Sequence, residues 1–213
     1  MNEVFENNAA LASIRNFYFS YRRILLSVFF ALIFLISAFL LNAKIKENNN
    51  AKAAAIYNKW ISQQKETSDQ KELSDQLFYE LTSKYKKTGY AKIAILDQAS
   101  IKARDGDLEK ALKNYKELKE ITDGIGGNKL FNKLARINAA RILYSQEEYD
   151  QALDLLEKYS ASSNALIHEL VGDILKKQNK IELAKEQYYL AKEKYIDEAS
   201  ISIVSMKIAN INI

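Results

Sequence analysis

The sequence predicts an all-α fold: one N-terminal transmembrane helix, then an α-solenoid of stacked helical hairpins. Three observations carry that expectation. A small residue stands twelve positions before an alanine three times, at Ala99 with Ala111, Ala140 with Ala152 and Gly172 with Ala184. Helices that double back approach closely only where the side chains at their crossing are small, so the spacing describes one antiparallel hairpin used three times. The 213-residue chain has no proline, where average usage of about 5% would supply roughly ten, and that favours helices joined by short turns. Finally, Ile24 to Leu41 is an unbroken apolar run of membrane length.

That run, ILLSVFFALIFLISAFLL, is eighteen residues with only Ser27 and Ser37 as polar interruptions; both hydroxyls can bond back to helix carbonyls. At a rise of about 1.5 Å per residue it covers roughly 27 Å, close to the hydrocarbon thickness of about 30 Å. Tyr18 and Tyr21 stand where an interfacial aromatic belt belongs, and Arg22 with Arg23 closes the N-terminal boundary. Arginines directly against the core outweigh the scattered Lys44, Lys46, Lys52 and Lys59 ahead of a long domain, which predicts the N-terminus inside and the domain outside. The run exceeds a signal-peptide core and no A-x-A cleavage site follows, so an uncleaved anchor is expected.

Downstream, Ala51 to Gln64 and Leu73 to Lys86 carry helical patterning and predict an entry hairpin. The first full hairpin has a leading helix from Ala91 to Ala103, the turn Asp105-Gly106-Asp107, and a second helix whose stripe is Leu108, Ala111, Leu112, Tyr115 and Leu118. The next runs from about Leu130 to Tyr144 and from Tyr149 to Tyr159, with Ser145 and Glu148 spaced as a capping box. The third runs from about Ala165 to Lys177 and from Ile181 to Tyr195, where Asn179 and Glu182 repeat that spacing. Ser200 to Ile213 is expected to be a final helix closing the open end. The expected boundaries are therefore 1–23 as an N-terminal segment, 24–41 as the span, 42–89 as linker and entry hairpin, 90–196 as three hairpins, and 197–213 as the cap.

Composition narrows the chemistry. The formal charge is +4 and there is no cysteine, so disulfides, thiolate metal sites and lipoprotein modification are excluded. Lys and Glu are interleaved through 100–200 instead of forming the basic stripe that nucleic-acid binding needs. His168 is the single histidine and falls where a helix packs on its neighbour, so no metal set is expected. The glycines of Asp123-Gly124-Ile125-Gly126-Gly127-Asn128 follow no strand and precede no Lys-Ser/Thr pair, which predicts a flexible inter-repeat loop, not a phosphate cradle. Asp105, Asp107, Glu147 and Glu148 are turn and cap residues by position. No enzyme, cofactor or small-molecule substrate is expected.

Aligned on their small residues, the hairpins resemble tetratricopeptide repeats. The resemblance rests on Ala99, Ala140 and Gly172, on Ala111, Ala152 and Ala184, on Tyr115, Leu156 and Tyr188 four residues later, and on Leu108, Tyr149 and Ile181 at the start of each second helix. The usual tryptophan of the first helix is replaced by Ile95, Arg136 and His168, and the intervals between the small residues are 41 and 32 residues. Stacked hairpins curve and present their leading helices on the inner side. That register gives a partner-binding groove lined by Leu96, Ser100 and Arg104, then Ile137, Arg141 and Tyr144, then Glu169, Asp173 and Lys176. Leu96 and Ser100 stand where some such domains carry the Lys and Asn that clamp a peptide's terminal carboxylate, so recognition of that kind is not expected.

A closer resemblance lies in Gly89-Tyr90-Ala91-Lys92, ARDGDLEKAL from Ala103, LARINAARILYSQEEYDQALDLL from Leu134 and HELVGDILKKQNKIELAKEQYYLA from His168. With the single anchor, these segments resemble the YfgM-like ancillary Sec-translocon subunit family, a family of membrane-anchored repeat proteins. The resemblance implies a single-pass protein of the bacterial inner membrane, with a cytoplasmic N-terminus and a periplasmic repeat domain. It implies as partners the SecYEG channel and a membrane-anchored periplasmic chaperone, in support of secretory protein passage. The alternative is an envelope scaffold for cell-division or outer-membrane assembly partners.

Overall fold

The computed structural model of the chain describes residues 2–63, 68–161 and 164–211. Two compact units divide it, Met1–Lys52 and Ala53–Ile213. Every described element is an α-helix: α1 (Asn2–Ser62), α2 (Ser68–Lys84), α3 (Gly89–Arg104), α4 (Leu108–Ile121), α5 (Lys129–Ser145), α6 (Tyr149–Glu157), α7 (Ala165–Lys177), α8 (Ile181–Lys194) and α9 (Glu198–Ala209). The expected helix ends at Gln64 and Ile213 lie outside the described residues.

The first unit consists of α1 up to Lys52. No glycine or proline interrupts the helix, so nothing breaks its hydrogen-bond ladder. Its apolar window has a mean hydropathy of 3.0 and none of it is buried; Phe34, Phe39 and Leu41 are all more than 60% exposed. Ser27 Oγ donates to Arg23 O at 2.9 Å, which satisfies that hydroxyl inside the helix. Among the described residues, this is the one helix long and apolar enough to cross a membrane.

In the second unit, residues 53–62 of α1 pack with α2 and α3. Trp60 is 1% exposed among Ala53, Leu77, Leu81, Ala91 and Ala94, with its ring 5.8 Å from that of Phe78. Tyr57 donates to Asp97 Oδ2 of α3 at 3.0 Å; burial, reinforced by that carboxylate, raises its hydroxyl pKa to about 12. Three hairpins follow, α3/α4, α5/α6 and α7/α8. All six crossing residues are buried, the five alanines with no exposed surface. At the third crossing a Cβ on Gly172 would meet Tyr188 Cε1 at 2.6 Å and Cδ1 at 2.7 Å. Glycine is there because the Tyr188 ring lies flush on the backbone of α7. The cores of neighbouring hairpins merge through Tyr115, Ile142, Leu143, Leu156, Ile167 and Ile174.

α9 packs on α8 and buries Val204 against Leu175, Tyr188 and Ala191. Val204 follows Gly172 by 32 residues, the interval that separates Gly172 from Ala140. By register, the final helix therefore takes the place of the leading helix of a further hairpin.

The turns inside the second and third hairpins differ from expectation. No side-chain cap bond is made by Glu148 or Lys180, which begin α6 and α8, and Ser145 Oγ donates back to Ile142 O. The capping boxes at Ser145/Glu148 and Asn179/Glu182 are not formed. Instead, Gly106, Glu147 and Asn179 all adopt positive φ, at 81°, 65° and 60°. The amide after each donates five residues back, from Asp107 to Lys102 O, Glu148 to Leu143 O and Lys180 to Leu175 O, all at 2.9 Å. This is a Schellman closure whose last residue also starts the next helix. The left-handed conformation costs a non-glycine residue about 1–2 kcal/mol. Glu147 is exposed, so Glu147→Gly is expected to stabilise the fold by about 1 kcal/mol, read as a higher urea midpoint. Asn179→Gly should gain less, because asparagine tolerates this conformation.

Candidate functional site

The leading helices lie against one another in order, α3 on α5 and α5 on α7, and bring the expected groove residues onto neighbouring elements. Leu96 and Ser100 of α3 are half-buried and Arg104 is exposed in its last turn. On α5, Arg141 is exposed and Tyr144 half-buried, the Tyr144 ring 6.0 Å from that of Tyr149. Ile137 is corrected: at 4% exposure it belongs to the core shared with Ala99 and Leu170 and cannot meet a partner. Its position in the register is equivalent to Leu96 and Glu169, but in the middle hairpin that position is roofed on both sides.

Glu169 and Asp173 stand one turn apart on α7, a spacing at which like charges repel. The structure supplies a cation that the sequence did not point to. Lys207 of α9 places Nζ 2.7 Å from both carboxylate oxygens of Asp173 and 2.7 Å from Glu169 Oε1, and 5.8 Å from the Tyr188 ring centre. Tyr195 donates to Glu169 Oε2 at 2.5 Å and Tyr188 to Asp173 Oδ1 at 2.8 Å. Lys176 donates to Asn210 O at 3.2 Å. All three α7 residues expected to face a partner are thus engaged by the C-terminal part of the chain itself.

These bonds set the titration. Burial pushes Glu169 up, but hydrogen bonds from Lys207 and Tyr195 outweigh it and hold the carboxyl below its ordinary 4.5. Burial pulls Lys207 down, yet its bonds to Asp173 and Glu169 leave it above 10.5. Tyr188 and Tyr195 are raised by burial and by donating to carboxylates. The Tyr188–Asp173 pair has a counterpart in the first hairpin, where the hydroxyls of Tyr115 and Ser100 are 3.1 Å apart. In the middle hairpin Leu156 replaces the tyrosine and leaves Arg141 without that partner.

A second polar cluster was missed because it draws on three separate segments. Asn132, 1% exposed, donates to Lys119 O at 2.8 Å and accepts from Arg136 Nε at 3.1 Å and from Tyr159 at 3.0 Å. Arg136 also donates to Leu155 O at 3.0 Å and to Asp123 Oδ2 at 3.1 Å, and Lys158 pairs with Asp123 Oδ1. The two ends of the Asp123–Asn128 segment are held, Asp123 by Arg136 and Lys158 and Asn128 as the cap of α5, while Ile125 between them is fully exposed. The bond from Lys158 and the amide of Gly124, with Arg136 adding to them, lower Asp123 to about 2. His168 is buried and its Nδ1 is 2.8 Å from Gln187 Oε1, a packing position. Among the described residues no three His, Cys, Asp or Glu gather as a metal set. A shallow open cleft along α4, between Glu109, Lys113, Lys116 and Glu120, holds none of the groove residues.

Residues 15–213 match the family model described as a tetratricopeptide repeat-like domain. The chain belongs to the tetratricopeptide repeat-like family. The match covers most of the apolar N-terminal helix as well as the hairpins, and no curated protein matches the sequence. Tetratricopeptide repeat-like domains are in general protein-interaction scaffolds, which directs attention to the face of the leading helices and not to a pocket.

The shifts fix how stability responds to acid. Glu169 and Asp123 have folded values below their ordinary 4.5 and 3.8. Their contribution is complete above those values and is lost as pH falls through the lowered ones. Lys207, raised above 10.5, contributes fully below that value. The melting temperature is expected to be level from about pH 6 to 9 and to fall below about pH 4.5. Glu169→Gln should shrink that fall; an unchanged acid limb in the variant would show that the α7–α9 contact does not titrate.

Proposed function

We propose that this protein is a membrane-tethered scaffold that binds protein partners on the face of α3, α5 and α7. The observation that carries this reading is the pairing of one apolar N-terminal helix with a hairpin array whose leading helices keep Leu96, Arg104, Arg141 and Tyr144 accessible. A half-buried tyrosine beside an exposed arginine is the combination that most often anchors a protein interface. The finer reading places the chain in the bacterial inner membrane, N-terminus in the cytoplasm and hairpins in the periplasm. Its partners there are the SecYEG channel and a membrane-anchored chaperone, and its role is to assist secretory proteins as they emerge. Support comes from the Arg22-Arg23 boundary of the span and from the sequence likeness around Glu169 to Asp173.

Photocrosslinking residues introduced at Arg141 and Tyr144 in growing cells are expected to capture a Sec or chaperone component. Correctly inserted protein that captures neither would contradict the reading. Protease added to spheroplasts should degrade the hairpin domain and spare the N-terminal segment; the reverse pattern would invert the topology.

A further inference from the structure

The interleaved charges of the sequence are sorted by the fold. The leading helices α3, α5 and α7 hold nine Lys and Arg against three Asp and Glu, whereas the second helices α4, α6 and α8 hold seven against nine. The α5 helix has no acidic residue at all. Each of the three carboxylates on the leading helices is already satisfied: Asp97 by Tyr57, Glu169 by Tyr195 and Lys207, and Asp173 by Tyr188 and Lys207. The guanidinium groups are not all so occupied. Arg136 is consumed by Asp123 and Leu155 O, but among the described residues Arg104 and Arg141 make no hydrogen bond or ion pair, and both are exposed. Lys207 holds Glu169 and Asp173, the two carboxylates of α7, while Arg141 lies near enough for its charge to help lower Glu169.

We infer that the leading-helix face takes an acidic, apolar peptide segment, whose carboxylates meet Arg141 and Arg104 while its apolar side chains pack on Leu96 and Tyr144. This rests on the scaffold reading above and adds to it the chemistry of the partner. Arginine presents a planar fork to a carboxylate, so an unpaired guanidinium beside an aromatic ring selects acidic side chains in a way a lysine would not. Lys207 acts as a positioning residue: it keeps the arginines available without touching the partner. The attraction is between exposed charges and weakens as salt is added.

The test uses the full chain in detergent, with fluorescence anisotropy of three labelled probes: a peptide of alternating Glu and Leu, its Lys and Leu counterpart, and a single-stranded oligodeoxynucleotide of equal charge. The Glu/Leu peptide is expected to bind in a salt-sensitive manner and the Lys/Leu peptide not to bind. Arg141→Glu should weaken the Glu/Leu peptide by about tenfold or more, the loss of one charge-assisted hydrogen bond, and Arg141→Lys should weaken it less. Lys207→Gln should weaken the Glu/Leu peptide and at the same time strengthen the Lys/Leu peptide, because Glu169 and Asp173 become free. A urea midpoint for Lys207→Gln matching the unsubstituted chain would show that α9 stays docked, since its undocking would also free Glu169 and Asp173. No binding of the Glu/Leu peptide, equal binding of the two peptides, tighter binding of the oligonucleotide, or indifference to Arg141→Glu would overturn the inference. If crosslinks from Tyr144 still captured a protein in cells, the scaffold reading would stand and only the acidic partner would fall.

Discussion

Two helices can lie this close only where neither carries a side chain beyond a methyl group at the crossing, and that constraint recurs at Ala99 with Ala111, Ala140 with Ala152 and Gly172 with Ala184. Close approach lets the next ring of residues, Tyr115, Leu156 and Tyr188, reach across and fill the hairpin. It also dictates which face remains for the outside. With one side of each leading helix consumed by its own hairpin and another by the next, a narrow strip is left, and Leu96, Arg104, Arg141 and Tyr144 occupy it. Partner binding in this account is a by-product of how tightly the hairpins close.

The polar groups inside the array do a different job. Asn132, Arg136, Asp123 and Tyr159 join α4, α5 and the end of α6 across the connection between α4 and α5. Lys207, Glu169, Asp173, Tyr188 and Tyr195 join α7, α8 and α9. Buried polar clusters of this kind are costly when incomplete and specific when complete. Each stands where hydrophobic spacing alone leaves the join ill-defined: between the first two hairpins, whose small residues are 41 apart, and at the final helix whose apolar pattern is untidy.

The hairpins, the apolar N-terminal helix and the final helix were legible because they are written in local spacing: an apolar run, a twelve-residue offset, a stripe at three and four. The turns were half legible. Asp105-Gly106-Asp107 announces itself, but Glu147 and Asn179 take the same left-handed position inside segments where Ser145 with Glu148 and Asn179 with Glu182 also fit a capping box, and local pattern cannot choose between the two. Ile137 was misplaced because a register identifies a face of a helix but not whether a neighbour covers it. Lys207 was invisible for a further reason. Its two carboxylates lie more than thirty residues away, and one lysine among many in the sequence carries no mark of the pair it serves.

The most direct test of the close crossing is the stability of Gly172→Ala, measured by urea unfolding of the full chain beside Gly89→Ala. Alanine improves helix propensity by about 1 kcal/mol at an unobstructed site, and a Cβ at Gly89 meets nothing within 4 Å, so Gly89→Ala should be neutral or stabilising. At Gly172 the new Cβ runs into the buried ring of Tyr188, and overpacking of this kind costs about 1–3 kcal/mol, outweighing the gain. A lower midpoint for Gly172→Ala alone is the predicted result. Equal stabilisation by both substitutions would mean that α7 and α8 do not meet as described, and the account built on their crossing would be contradicted.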